Sequence, residues 1–145
     1  MKKILFFAVL FILSSHVFAQ TPMLILGNNT MTIGYTATMY ANLPGTPPGF
    51  YSCTSPIIYS GATMYYPTAA SLGTWSPSTP PPTCNYNYAV IQVVIGGTGT
   101  CMVTVGAPRS IYPSSVPVPC GDDPATQAQY SIDPLTGNVS IMVAP

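Results

Sequence analysis

Few side chains between residues 20 and 145 can do ionic or nucleophilic chemistry. They are Cys53, Cys84, Cys101 and Cys120, the carboxylates Asp122, Asp123 and Asp133, and one cation, Arg109. General acid–base catalysis usually works through His, Glu or Lys, and this stretch contains none of them. Its many Ser and Thr hydroxyls therefore lack a neighbouring base to activate them. A carboxylate pair can hydrolyse a glycoside. Here Asp122 and Asp123 stand in Gly-Asp-Asp-Pro, and Asp133 stands in Asp-Pro-Leu-Thr-Gly-Asn. Both read as turns, with Asp123 capping a short helical turn that Pro124 begins. Calcium would need more oxygen ligands than Asp122 and Asp123 supply. The expectation is a non-enzymatic chain with no catalytic residue.

The cysteines read as disulfides. No Cys-x-x-Cys pair is present and no histidine follows residue 16, so a zinc site is not expected and no cofactor is implied. A single arginine cannot build the basic surface that neutralises phosphates, which argues against a nucleic-acid partner. No Gly-rich phosphate loop ending in Lys is present either.

Residues 1–19 have the layout of a secretory signal peptide in bacterial style. Lys2 and Lys3 precede the apolar run from Ile4 to Leu13, and Val17-Phe18-Ala19 supplies a small-residue cleavage site. Residues 20–145 are then one secreted β domain, periplasmic or extracellular. No later run is long and apolar enough to serve as a transmembrane anchor. Export favours oxidised thiols, so two bridges are expected from the four cysteines.

Strand signals dominate the rest. Met31, Ile33, Tyr35, Ala37, Met39 and Ala41 alternate with Thr32, Thr36, Thr38, Tyr40 and Asn42, the period of a half-buried strand. Residues 85–95 and 102–105 flank Gly96-Gly97-Thr98-Gly99 and predict a hairpin. A turn centred near Gly97 and Thr98 sets Val94 opposite Cys101, Gln92 opposite Val103 and Val90 opposite Val105. On that register Tyr86 and Tyr88 share a face with Val90, Val94, Val103 and Val105. Cys84 then lies about 34 Å along the strand from the partner of Cys101, too far for a bridge. The preferred pairing is Cys53–Cys84 with Cys101–Cys120, while Cys53–Cys101 with Cys84–Cys120 stays open.

Pro56–Ser60 and Ala62–Tyr66 predict short strands, Thr68–Thr74 a helical turn, and 127–132 with 138–143 a closing hairpin. Proline-rich loops precede Cys53, Cys84 and Cys120. Six to nine short strands with no long amphipathic helix indicate an all-β fold. It is read as an antiparallel β-sandwich or small barrel, with two disulfides and proline-rich loops.

Charged residues are 4 % of the chain, against about a quarter in ordinary soluble domains. A surface with so little charge favours self-association and leaves strand edges unguarded. The leading expectation is an exported structural or adhesive protein, a surface-interaction protein that assembles with itself as a homo-oligomer or contacts other surfaces. The chain ends in Ser-Ile-Met-Val-Ala-Pro without a penultimate tyrosine, unlike a chaperone-assembled pilin subunit. It also lacks the N-terminal helix of a type IV pilin. The alternative is a glycan-binding module using Trp75, Tyr65, Tyr66, Tyr86 and Tyr88, with Tyr51 and Tyr59 as further rings. A third reading is a secreted effector or inhibitor that binds a host or competitor protein through loop 76–83.

Overall fold

The computed structural model describes residues 22–43, 45–80, 84–121 and 123–145. The expected signal peptide, Asp122 and residues 81–83 of the proline-rich loop lie outside them. The described residues form nine strands and one short helix: β1 Leu24–Asn28, β2 Gly34–Asn42, β3 Tyr51–Thr54, β4 Thr63–Tyr66, α1 Ala69–Leu72, β5 Asn85–Ile95, β6 Met102–Gly106, β7 Ser115–Pro117, β8 Gln127–Ile132 and β9 Val139–Ala144. They make a sandwich of a five-stranded sheet, β4-β1-β9-β8-β7, and a four-stranded sheet, β3-β2-β5-β6.

The strongest sequence pattern is also the clearest strand. Along β2, Tyr35, Ala37, Met39 and Ala41 are buried and Thr36, Thr38, Tyr40 and Asn42 are half-exposed. Met31 breaks the expected inward set: it sits in the bend before β2, 93 % exposed. The closing hairpin forms as its alternation indicates, with β8 and β9 paired from Gln127–Ala144 to Ile132–Val139. The β1–β9 pair is parallel, so the five-stranded sheet is mixed rather than wholly antiparallel. Of the expected 56–60 strand only an isolated bridge forms, Ile58 to Tyr35. The turn at Asp123 forms without a helix: its carboxylate accepts from Ala125 N at 2.7 Å and its carbonyl from Thr126 N at 2.9 Å.

Two buried tyrosines tie the sheets together. Tyr35 of β2 donates its hydroxyl to the Gly27 carbonyl of β1 at 2.9 Å, and Tyr130 of β8 donates to the Tyr86 carbonyl of β5 at 2.9 Å. Each bond satisfies a polar atom that would otherwise cost about 1–3 kcal/mol in the interior. Around them pack Leu24, Leu26, Ile91, Val93, Val105, Ile141 and Val143. Trp75 closes one side with its indole N–H donating to the Ala69 carbonyl at 2.7 Å. Helix α1 supplies that carbonyl. Thr68 caps the helix by accepting from Ser71 N, and Gly73 ends it.

The β5–β6 hairpin is present, but its register differs by one residue from the tight-turn expectation. Gln92 faces Met102, Ile91 faces Val103 and Val90 faces Thr104. Val103 and Val105 therefore lie on the face of Ile91 and Ala89, and Met102 joins the outer face. The loop from Gly96 to Cys101 sets this register. Its backbone packs so closely that a Cβ on Gly96 would strike the Thr32 carbonyl and one on Gly97 the Cys120 carbonyl. Both glycines have positive φ, 70° and 78°. Thr98 N donates to the same Cys120 carbonyl at 3.2 Å.

One disulfide is present, Cys101–Cys120, which fastens this loop to the segment after β7. The second expected bridge is absent: Cys53 and Cys84 are buried and unbonded. Register explains the separation. Cys53 pairs with Met39 on one flank of β2, while Cys84 lies beyond the Asn42–Asn85 pair on the other. The two are two strand spacings apart laterally and about 13 Å apart along β2, well beyond the roughly 5.5 Å that a bridge requires.

Burial pushes the phenols of Tyr35, Tyr86 and Tyr130 well above the ordinary tyrosine range. A raised folded pKa means that the fold favours the neutral phenol. The stability gained is complete below about pH 10, the unfolded phenol value, and is lost as pH rises past it. The fold is therefore expected to weaken steeply above about pH 10. In an alkaline titration, tyrosinate absorbance from these rings should rise together with loss of near-UV circular dichroism. Complete ionisation with the dichroism intact would contradict the cross-sheet role of Tyr35 and Tyr130.

Candidate functional site

The aromatic residues divide between the interior and the surface. Trp75, Tyr66 and Tyr86, three of the rings expected to offer ligand contacts, are 4 %, 5 % and 3 % exposed. Burying about 200 Å² of indole at roughly 25 cal/mol per Å² is worth on the order of 5 kcal/mol before ordering costs. With its N–H satisfied by Ala69, Trp75 has no physical reason to face water. Its ring packs 6.2 Å from that of Tyr86, and Tyr51 is buried in the same core. Tyr65 on β4 and Tyr59 before it are exposed, 63 % and 60 %, on the edge of the five-stranded sheet. Only Tyr88 of the five named rings joins the site described next.

Tyr86 and Tyr88 point to opposite faces, contrary to the simple alternation. A bulge causes this. Tyr40 of β2 pairs with Tyr88, but Ala41 pairs with Tyr86, so Asn87 is the extra residue on β5. A bulged residue reverses the alternation beyond it and re-aims the neighbouring side chains. Tyr86 turns into the core and Tyr88 turns out, against Tyr40. Those two rings stack at 4.4 Å with an interplanar angle of 12°.

A third ring extends the stack. Gly106 of β6 is the cross-strand partner of Tyr88 and has no side chain there. Tyr112 occupies the space: a Cβ on Gly106 would come within 2.9 Å of the Tyr112 Cβ. The Tyr88 and Tyr112 rings lie 4.6 Å apart and tilted by 44°. Burial, then the neighbouring phenols of Tyr112 and Tyr40, raise the Tyr88 phenol above its usual range. Beside the rings the outer face carries hydroxyls and amides. Thr38 and Thr54 share a hydrogen bond at 2.8 Å, with Thr36, Gln92 and Thr104 in adjoining register positions.

The bulge also builds the cleft at the end of this stack. Asn87 accepts at its backbone carbonyl from Ala107 N, 2.8 Å, and at Oδ1 from Gly49 N, 3.4 Å. Those bonds gather the 45–50 loop and the 107–112 loop around Tyr88. The resulting cleft of about 490 Å³ is lined by Pro48, Asn87, Tyr88, Arg109, Ile111 and Tyr112, among others. Ligand sites typically span about 300–1,000 Å³. A smaller cleft of about 290 Å³, between Thr30–Ile33, Asp123, Thr126 and Pro145, contains neither an aromatic ring nor a cation.

Arg109 stands at the second central position of the turn Ala107-Pro108-Arg109-Ser110, closed by Ser110 N donating to the Ala107 carbonyl at 2.9 Å. Its φ is 70°, the one positive φ on a non-glycine among the described residues. Pro at the first central position and positive φ at the second define a type II turn, where glycine is the ordinary occupant. Arg109 is also the only cation among the described residues. Asp123 and Asp133 use their carboxylates in their own turns, Asp133 accepting from Leu135 N and the Thr136 hydroxyl. Those two bonds, the hydroxyl foremost, hold the Asp133 carboxyl below its ordinary range.

The sequence does not mark Tyr40, Asn87, Gly106 or Tyr112 as site residues, and it marks Arg109 only as the lone cation after residue 19. One local signal points to one of them: Gly106 ends a strand otherwise rich in β-branched residues; the positive φ of Arg109 leaves no mark in the sequence, because Pro-x suits a type I turn equally well. No group of three or more His, Cys, Asp or Glu converges among the described residues. Comparison of the chain with protein-family models, with curated proteins and with solved structures finds no match.

Keeping Arg in the left-handed region costs about 1 kcal/mol relative to glycine. Arg109→Gly is therefore expected to be more stable than Arg109→Ala by about 1 kcal/mol, because Ala retains the backbone cost. Urea unfolding of the two variants measures the difference. Equal stabilities would show that the turn carries no strain.

Proposed function

We propose that this chain is an exported, non-enzymatic surface-contact protein whose outer tyrosine face engages glycans. The observation that carries the reading is the half-buried stack of Tyr40, Tyr88 and Tyr112, with adjacent ring centroids 4.4 and 4.6 Å apart, set beside rows of threonine and bordering the cleft that Tyr88 and Tyr112 line. Rings stacked in this way cover much of one another's faces, so the stack offers sugar C–H groups chiefly its apolar ring edges and end rings, and the neighbouring hydroxyls and amides suit the sugar OH groups. A neutral ligand of that kind needs little protein charge. The Cys101–Cys120 disulfide fits an oxidising compartment. Among the described residues no helix is long and apolar enough to cross a membrane.

The test is a polysaccharide and glycan-array screen with the oxidised full-length protein. Wild type is expected to retain a subset of glycans, with Tyr112→Ala weakening binding about tenfold, or roughly 1.4 kcal/mol. Tyr65→Ala, on the other sheet, should leave it unchanged. Wild-type protein that is folded yet retains no glycan would overturn the reading.

Homo-assembly is a second reading, and one edge favours it. β4 pairs on one side, with β1, and presents exposed Met64 and Tyr65 with no charged residue in the strand. Unguarded edges of this kind pair with other chains. Light scattering across concentration should then show larger species that Tyr65→Lys suppresses; a monomer throughout would exclude assembly. The edge strand β3 of the other sheet is covered, because Ser52 and Ser76 exchange backbone hydrogen bonds at 3.0 and 2.9 Å.

A further inference from the structure

We propose that the cleft beside Tyr88 and Tyr112 selects acidic sugars, with Arg109 binding the carboxylate of a uronic-acid residue whose ring lies against the tyrosines. This deepens the glycan reading and rests on it. Three observations converge on the cleft. It has the volume of a small-ligand site, about 490 Å³, and aromatic, proline and amide walls. It lies at the end of an otherwise neutral stack of rings. The one cation among the described residues lines it.

The position of that cation is informative. Arg109 occupies a backbone conformation, φ 70°, that glycine would adopt without cost. Residues kept in disfavoured backbone conformations cluster at functional sites, where the side chain's chemistry outweighs the local cost. A guanidinium offers a planar fork of donors that matches a carboxylate in a bidentate geometry. The turn that carries it is held on both sides. Ala107 N is bound to the bulge residue Asn87 at 2.8 Å. Ser110 Oγ donates to the Tyr112 carbonyl at 2.9 Å and accepts from Tyr112 N at 3.2 Å. Cation and ring are therefore coupled through one short loop rather than through independent segments. Exposure of Ile111, 91 %, adds an apolar rim on the same loop.

The experiment compares a galacturonic acid trimer with the galactose trimer of the same linkage. Binding to oxidised full-length protein is followed by calorimetry and by the Tyr88 and Tyr112 ring signals in NMR. The acid is expected to bind at least tenfold more tightly at low salt, with the preference shrinking as salt screens the ion pair. Arg109→Gly keeps the turn geometry and should abolish the preference for the acid over the galactose trimer. Equal binding of the two trimers by wild type would overturn the acidic preference and leave the glycan reading standing. A preference that survives Arg109→Gly would overturn the assignment to Arg109. If neither trimer binds, the inference fails, and the glycan reading stands or falls on the array screen alone.

Discussion

The outer surface of this sandwich depends on one extra residue in β5. Asn87 has no partner on β2, and its insertion reverses the inside–outside alternation between Tyr86 and Tyr88. In an unbulged strand both rings would lie on one face. Two phenols inward would crowd the space that Trp75 and Tyr130 occupy, and two outward would leave the Trp75 ring without its Tyr86 neighbour. The bulge sends one ring each way. The same residue then anchors two loops through its carbonyl and its amide, so the element that splits the tyrosines also shapes the cleft beside one of them.

With almost no charge to organise it, the molecule is built on neutral hydrogen bonds and close packing. Tyr35 and Tyr130 each cross the interior to a backbone carbonyl of the other sheet. Buried Asn28 serves the same purpose at the sandwich end, donating to the Ile33 and Ile58 carbonyls at 2.7 and 3.0 Å. Where side chains would obstruct, glycine lets backbone meet backbone, as at Gly97 against the Cys120 carbonyl. The Cys101–Cys120 bridge secures that contact covalently. Closing a loop of 19 residues contributes about 3 kcal/mol in the chain-entropy account. These devices carry no net charge, and they leave the outer faces free for rings and hydroxyls.

Residue patterns alone made the class of fold legible. Alternation over 33–41 and 139–143, the glycine loop after Ile95 and the Asp133 turn each correspond to an observed element, because period-two burial and turn chemistry are local properties. The exclusion of a Cys84–Cys101 bridge follows from local register, which needs to be right only to within a few residues, and the preference for Cys101–Cys120 follows from the shorter loop that it closes. Exposure of individual rings was not legible. Trp75 carries no sequence mark that distinguishes a surface ring from a core ring; its position follows from the carbonyl that α1 holds out to it. Cys53 and Cys84 look like partners by count, yet they lie on opposite flanks of β2.

The chain's own residues thus decided an all-β architecture, a neutral surface and the lack of the usual acid–base side chains after residue 19, since composition and nearest-neighbour periodicity are properties of the linear polymer. Tertiary structure decided which tyrosines face outward, the parallel β1–β9 pair, the one-residue register of β5 on β6 and the gathering of Arg109, Asn87, Tyr88 and Tyr112 around one cleft. Each of these turns on contacts between segments distant along the chain. There a shift of a single residue reverses every face, and no local pattern records where that shift occurs.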